Sequence, residues 1–181
     1  MNFLLTGGAG YIGSHAALSL LDAGHNVHII DDLSTGNKSL IPKNAFFTKC
    51  NINDEEVISE LIKSNSFDLL MHFAGFIQVE ESVKYPQKYF DNNTENATKL
   101  FETCKNNGLN KIVFSSTAAA YGSVSENKLI DENTNLNPQN PYAESKIKTE
   151  NFLFENKDDY KFIILRYFNV AGADKKLRSR S

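Results

Sequence analysis

The chain has 181 residues, 41% of them hydrophobic and 23% charged, which suits one globular domain able to bury a core of its own. A formal net charge of −3 offers no basic face to nucleic acid or anionic lipid, and no apolar run is long enough for a membrane helix. Cys50 and Cys104 lie far apart without metal-ligand spacing and read as reduced, buried thiols, so a cytoplasmic protein without a metal is expected.

The first five residues, Met1-Asn2-Phe3-Leu4-Leu5, lack a basic n-region and run straight into a glycine loop, which argues for a buried strand rather than a signal peptide. The loop is Gly7-Gly8-Ala9-Gly10-Tyr11-Ile12-Gly13, and Ile12, Ala16, Ala17, Leu20 and Leu21 then form an apolar stripe at helical spacing. Strand, glycine turn and helix is the setting that a dinucleotide-binding loop requires. A side chain at Gly7 would obstruct the turn, one at Gly10 would hold the backbone off a pyrophosphate, and one at Gly13 would push helix from strand. The helix N-terminus offers free N–H groups and the positive end of its dipole to the anion. Asp31 ends a second apolar run, Val27-His28-Ile29-Ile30, about 20 residues beyond the glycines, where a carboxylate can accept from an adenosine ribose hydroxyl.

A turn-rich loop over residues 32–37 follows, and Ala45-Phe46-Phe47-Thr48 reads as a third strand. Asp54-Glu55-Glu56 puts acid at the start of a helix with Val57, Ile58, Leu61 and Ile62 on one face. A fourth strand over residues 67–73 ends at Ala74-Gly75, and Pro86 opens one long helix through Ala97, Leu100 and Phe101 towards Gly108. Lys111-Ile112-Val113-Phe114 is a fifth strand leading into Ser115-Ser116-Thr117. Residues 123–137 have no apolar periodicity and read as a surface excursion. Pro138 and Pro141 announce a helix holding Tyr142 and Lys146, and Phe162-Ile163-Ile164-Leu165 is a sixth strand. Alternating strands and helices predict an α/β fold, a Rossmann-type doubly wound parallel sheet with right-handed crossovers. Ligands in such sheets sit outside the carboxyl ends of the strands, where Asp31, Phe73 to Gly75, Ser115 to Thr117 and Tyr167 to Asn169 all fall.

Tyr142 and Lys146 share a helix face one turn apart. A tyrosine is a poor base at neutral pH, but a neighbouring ammonium and an oxidised nicotinamide ring would stabilise its phenolate. The same spacing on a solvated helix face means nothing by itself; the upstream glycine loop and the strand-end hydroxyls turn the preference towards chemistry. Thr117 is the best placed hydroxyl, unless it only satisfies strand-end backbone groups.

Several stretches carry a family resemblance: Thr6 to His15, Asp31-Asp32-Leu33-Ser34, His72-Phe73-Ala74-Gly75 and Tyr89-Phe90-Asp91-Asn92-Asn93. Phe114 to Ala118, Tyr142-Ala143-Glu144-Ser145-Lys146 and Leu165-Arg166-Tyr167-Phe168-Asn169 continue it. Together they resemble the extended short-chain dehydrogenase/reductase superfamily, and within it the UDP-glucose 4-epimerases. The resemblance implies NAD as cofactor, with Tyr11, Ile12, Asp31, Asp32 and Leu33 along its adenosine half. Asn51 and Ile52 would also touch the cofactor, and Phe73, Ala74, Gly75, Asn92 and Ser115 would follow its pyrophosphate and nicotinamide half, with Phe168 near the ring. It further implies a UDP-sugar substrate whose 4-hydroxyl is oriented by Thr117 and deprotonated by Tyr142, with Lys146 tuning Tyr142 and Asn169 near the diphosphate. In the family, hydride leaves C4, the 4-keto sugar turns over in the site, and hydride returns to the opposite face.

Three departures stand out. Asn51 occupies the place of a usual aspartate, Ile77 that of a frequent lysine, and the family continues past Ala171-Gly172-Ala173 into a substrate domain. Residues 1–170 are therefore expected to form the NAD-binding domain, and residues 171–181 a tail at the start of an absent substrate domain, with homodimerisation as in the family. Two alternatives stay open: another nucleotide-sugar dehydratase or epimerase of the superfamily, and a non-catalytic NAD-binding fragment. Against a dehydratase, Ala118-Ala119 stand where an acid–base pair would be needed.

Overall fold

The structure is a computed structural model that describes residues 1–123 and 129–178. Residues 124–128 of the expected excursion and 179–181 of the expected tail lie outside the described residues. Six strands, β1 (Asn2–Thr6), β2 (Asn26–Ile30), β3 (Phe46–Thr48), β4 (Leu69–His72), β5 (Lys111–Ser115) and β6 (Lys161–Leu165), form one parallel sheet in the order β3-β2-β1-β4-β5-β6. This is the doubly wound order, and it reverses between β1 and β4, where a crevice opens beyond the strand ends.

Side-chain alternation along each strand divides the core in two. On one face Leu4, Ile30, Leu70, Ile112 and Phe114 pack against Ile58 and Ile62 of α2 (Glu55–Ser64), Leu100, Phe101 and Cys104 of α5 (Ala97–Asn106), and Leu153 of α6 (Pro141–Glu155). On the other, Phe3, Leu5, Val27 and Ile29 pack against Ala17 of α1 (Tyr11–Asp22). Burying a side chain such as Phe101 or Leu100 contributes roughly 1.5–3 kcal/mol, so the first layer carries more of the stability. Among the described residues no helix is long and apolar enough to cross a membrane.

Two local features go beyond the expectations. The long helix from Pro86 runs without a gap as α4 (Pro86–Tyr89), a π-helical segment (Phe90–Asn96) and α5. The wider turn points Asn93, 1% exposed, inward, where its amide bonds the backbone N–H and C=O of Phe76, both at 2.9 Å. A further helix, α3 (Val79–Lys84), lies in a stretch where none was expected. Its apolar residues Val79 and Val83 face solvent and only Ser82 is buried, so it carries no stripe that periodicity could detect.

The glycine loop is built by close approach. Gly7 has φ +70°, and a Cβ there would stand 2.5 Å from the Ala74 nitrogen at the end of β4. A Cβ on Gly13 would come within 2.2 Å of the Gly7 carbonyl oxygen, so the loop backbone, rather than the strand itself, demands that glycine. Gly8, which sequence reasoning did not single out, has the Ile29 side chain 2.6 Å from its Cβ position. By contrast Gly24, at φ +79°, has nothing within 4 Å. Gly13→Ala is expected to cost about 3 kcal/mol, the upper range of overpacking, because backbone must move. Gly24→Ala should cost about 1–2 kcal/mol from the left-handed conformation alone. Urea unfolding of both variants checks the order, and a Gly13→Ala no more destabilised than Gly24→Ala would contradict it.

Candidate active site

The carboxyl ends of β1, β2, β4 and β5 open onto one cavity of about 1310 Å³. At its centre lies the start of α1. Gly10 is the N-cap and supplies no side-chain acceptor, and Gly7, Gly10, Tyr11, Ile12 and Gly13 line the wall. The first-turn N–H groups of that helix and the positive end of its dipole therefore face the cavity, a setting that suits a phosphate. Tyr11 also ties down the chain beyond β6, its hydroxyl donating to the Gly172 carbonyl at 2.6 Å.

At one end stand Asp31 and Asp32. Asp31 is buried, and its two oxygens accept from the Ala9 and Leu33 N–H groups, each at 2.9 Å. The carboxylate thus fastens the glycine loop to the end of β2, while each oxygen keeps a second lone pair for a ligand hydroxyl. Asp32 accepts from the Ser34 N–H at 2.8 Å and from the Asn51 amide at 2.9 Å. An aspartate at position 51 would set two carboxylates against each other there; asparagine makes a hydrogen bond. Asn51 and Ile52 both line the cavity, whereas Leu33, at φ +61°, does not.

The middle of the wall is Phe73, Ala74 and Gly75, with Asn92 opposite. A Cβ on Gly75 would stand 3.1 Å from both the Asn93 Oδ1 and the Lys146 Nζ, so the loop must pass close to these polar groups. Asn92 donates to Asn93 at 3.1 Å, and Asn93 in turn reaches Ser145 of α6 at 3.2 Å. Asn93 joins the strand-end loop to the helix that carries Tyr142.

The other end is assembled on α6. Asn140 caps this helix through the Ala143 N–H at 2.9 Å, and Pro141 opens its first turn. Lys146 is not on a solvated face: it is 2% exposed, donates to the Ser115 carbonyl at 3.0 Å, and lies 5.0 Å from the centre of the Phe114 ring. Burial lowers its pKa to about 8, with the Glu150 carboxylate opposing the shift. Tyr142 is raised above the usual phenol value by burial, partly offset by its hydrogen bond to Thr117. The expected stabilisation of a Tyr142 phenolate calls for an oxidised nicotinamide ring as well as Lys146; in the protein alone, burial prevails. Thr117 meets Tyr142, and its hydroxyl also accepts from the Ala119 N–H at 3.1 Å, so it satisfies a strand-end backbone group as well. The Ser115 hydroxyl accepts from Tyr167 at 2.5 Å, and Phe168 and Asn169 complete the rim, both exposed.

Sequence reasoning overlooked two buried polar groups. Glu150 lies one turn beyond Lys146 and pairs with Arg166; the spacing 142, 146, 150 was the available signal. His72, at the end of β4, is completely buried, hydrogen-bonded through Nδ1 to the Thr6 hydroxyl at 2.7 Å, and stacked on Phe114. Burial, helped by the Lys146 charge, pushes its pKa down to about 3.

The chain is similar to known proteins over nearly its whole length. The model of the NAD dependent epimerase/dehydratase family matches residues 3–181. The UDP-glucose 4-epimerase of Azospirillum brasilense is 45% identical over 173 residues, 94% of this chain and 49% of that protein. The Lactobacillus helveticus UDP-glucose 4-epimerase is 41% identical over 175 residues, 96% of this chain and 53% of that protein. The crystal structure of UDP-glucose-4-epimerase from Stenotrophomonas maltophila, with bound NAD and formylated UDP-arabinopyranose, superposes with a TM-score of 0.93 at 33% identity, over 99% of this chain and 56% of that one. The chain spans about half the length of the curated relatives it matches.

His72 gives the site a pH signature. Its folded pKa lies below the unfolded value, so the unfolded chain binds the proton first and stability falls as pH drops from about 6.5 towards 3. Each pH unit in that window should remove about 1.4 kcal/mol through this group. Chemical unfolding at several pH values measures the slope, and His72→Phe, which keeps an aromatic ring in the stack, should flatten it by that amount. An unchanged slope would show that another group carries the acid sensitivity.

Proposed function

The chain belongs to the NAD dependent epimerase/dehydratase family, and from that premise we propose that it binds NAD and carries the acid–base residues for epimerisation at C4 of a UDP-sugar. The observation that carries this reading is convergence: one cavity joins an uncapped helix N-terminus, a carboxylate pair at one end, and a Thr117–Tyr142–Lys146 cluster at the other. A dinucleotide fits these parts in order. Asp31 and Asp32 would hold the adenosine ribose, the first turn of α1 the pyrophosphate, and Lys146 the second ribose beside Phe73 to Gly75. Gly7, Gly10, Gly13, Asn51, Ile52, Asn92, Ser115 and Phe168 would complete the cofactor contacts. NAD, when bound, supplies reversible hydride acceptance at the sugar carbon.

The chain's own residues handle the proton. Thr117 would orient the sugar hydroxyl, Tyr142 would take and return its proton, and Lys146 would hold positive charge beside the developing phenolate. Burial raises Tyr142, so a phenolate forms only when nearby positive charge compensates, which couples proton removal to a filled site. Ala118 and Ala119 line the cavity after Thr117 and cannot exchange protons, which favours epimerisation over elimination of water. Asn169 would meet the substrate's diphosphate at the rim. Residues 1–170 would form the NAD-binding unit.

Two outcomes test the reading. NAD should bind more tightly than NADP, because a 2′-phosphate would meet Asp31 and Asp32, and the neighbouring wall residues Ser34, Thr35, Gly36 and Asn51 carry no positive charge. Calorimetric titration with both cofactors decides this, and equal or tighter NADP binding would contradict it. Tyr142→Phe should leave NAD affinity within about threefold while lowering any turnover roughly 10²–10⁴-fold, the range of a lost general acid–base step.

A further inference from the structure

α6 carries a third buried side chain in line with Tyr142 and Lys146. Glu150 follows Lys146 by one turn, and its side chain is 1% exposed. Its carboxylate accepts from the Arg166 Nε, 3.0 Å from each oxygen, from the Arg166 Nη2 at 2.5 Å, and from the Ser116 hydroxyl. Arg166 is steadied in turn by donating through Nη1 to the Tyr121 hydroxyl at 3.1 Å. Ser116 lies between Ser115, whose carbonyl receives Lys146, and Thr117, whose hydroxyl meets Tyr142. Helix and strand end are thus joined at two successive turns, by Lys146 on Ser115 and by Glu150 on Ser116.

Charge makes the second join matter to the first. Arg166 pairs with Glu150 directly, while Lys146, one helical turn before Glu150, is held on the Ser115 carbonyl and feels the same carboxylate from beyond contact. The guanidinium keeps its proton whatever happens to the carboxylate, so of the two cations only Lys146 can change its charge when the Glu150 charge is lost. Besides Tyr121, whose hydroxyl steadies Arg166, the other titratable groups packed here are His72 on β4, Tyr142 on α6 and Tyr167 beyond β6. Burial keeps the imidazole neutral and both phenols protonated near pH 7. None of these can replace the carboxylate.

We propose that Glu150, oriented by Arg166 and Ser116, is a positioning residue that holds Lys146 as an ammonium on the Ser115 carbonyl and so sets the strand-end hydroxyls against Tyr142. Its value to catalysis rests on the acid–base reading of Tyr142 and Lys146 given above. The competing reading is a plain structural clamp between α6 and β6.

The two are separated by following the charge of Lys146 directly. In protein labelled with ¹³C-lysine, the Cε shift against pH reports its titration without cofactor or substrate, the signal being assigned by its loss in Lys146→Met. The unaltered chain should show a midpoint near 8. Glu150→Gln, which keeps shape but not charge, should lower it by about one pH unit. The double variant Glu150→Leu/Arg166→Met replaces the ion pair by apolar side chains, a change often tolerated in a core, and should lower it as well. Glu150→Asp should restore most of the midpoint. NAD affinity, measured alongside, should fall roughly tenfold in Glu150→Gln, the scale of a weakened charged hydrogen bond. An unchanged Lys146 midpoint in folded Glu150→Gln overturns the proposal, and so does failure of both variants to fold, which would make the pair a fold element. An unaltered chain that binds no NAD would remove the functional reading instead, leaving the lysine titration to stand or fall separately.

Discussion

The constraint on which this structure depends is the close backbone approach at the carboxyl edge of the sheet. Gly7 lies against the end of β4, and Gly13 lies against the Gly7 carbonyl, both at distances that no Cβ could occupy. That contact brings the first turn of α1 to the point where strand order reverses, with its N–H groups open to the cavity. Asp31 then fastens the loop from the other side through the Ala9 N–H. Everything proposed for the site follows from this placement, because the carboxylate pair and the Tyr142 cluster are laid out on either side of it.

The two ends of the cavity handle buried charge differently. Around Asp31 and Asp32 the charges are negative and answered by backbone N–H groups and by the Asn51 amide. Around Lys146 the balance is positive, with Glu150 paired to Arg166 and the ammonium held on the Ser115 carbonyl. Desolvation works against both Tyr142 ionisation and Lys146 protonation. Without a ligand, burial thus keeps Tyr142 a phenol and weakens the hold of Lys146 on its proton.

Much of this was legible from residue order. Apolar runs ending at Asp31, Gly75 and Thr117 marked strand ends, and the parallel sheet followed from the alternation of strands with helical stripes. The glycine spacing announced the loop, and the 142–146 spacing announced a shared helix face. What escaped was set by contacts between distant segments. Asn93 reads as one more polar residue in a helix until the π-helical turn rotates it onto the Phe76 backbone. Arg166 and Glu150 are ordinary charged residues until the fold buries them together. α3 was invisible because its apolar side chains face outward at the cavity mouth.

The central claim is that one edge of the sheet forms a single dinucleotide site reaching from Asp31 to Tyr142. The most direct measurement is an amide chemical-shift titration of the ¹⁵N-labelled chain with NAD. The account predicts saturable shifts, with one common midpoint, at Gly10 to Gly13, at Asp31 and Asp32, and at Ser115 to Thr117. Absence of saturable shifts, or shifts confined to residues away from the glycine loop, would contradict it.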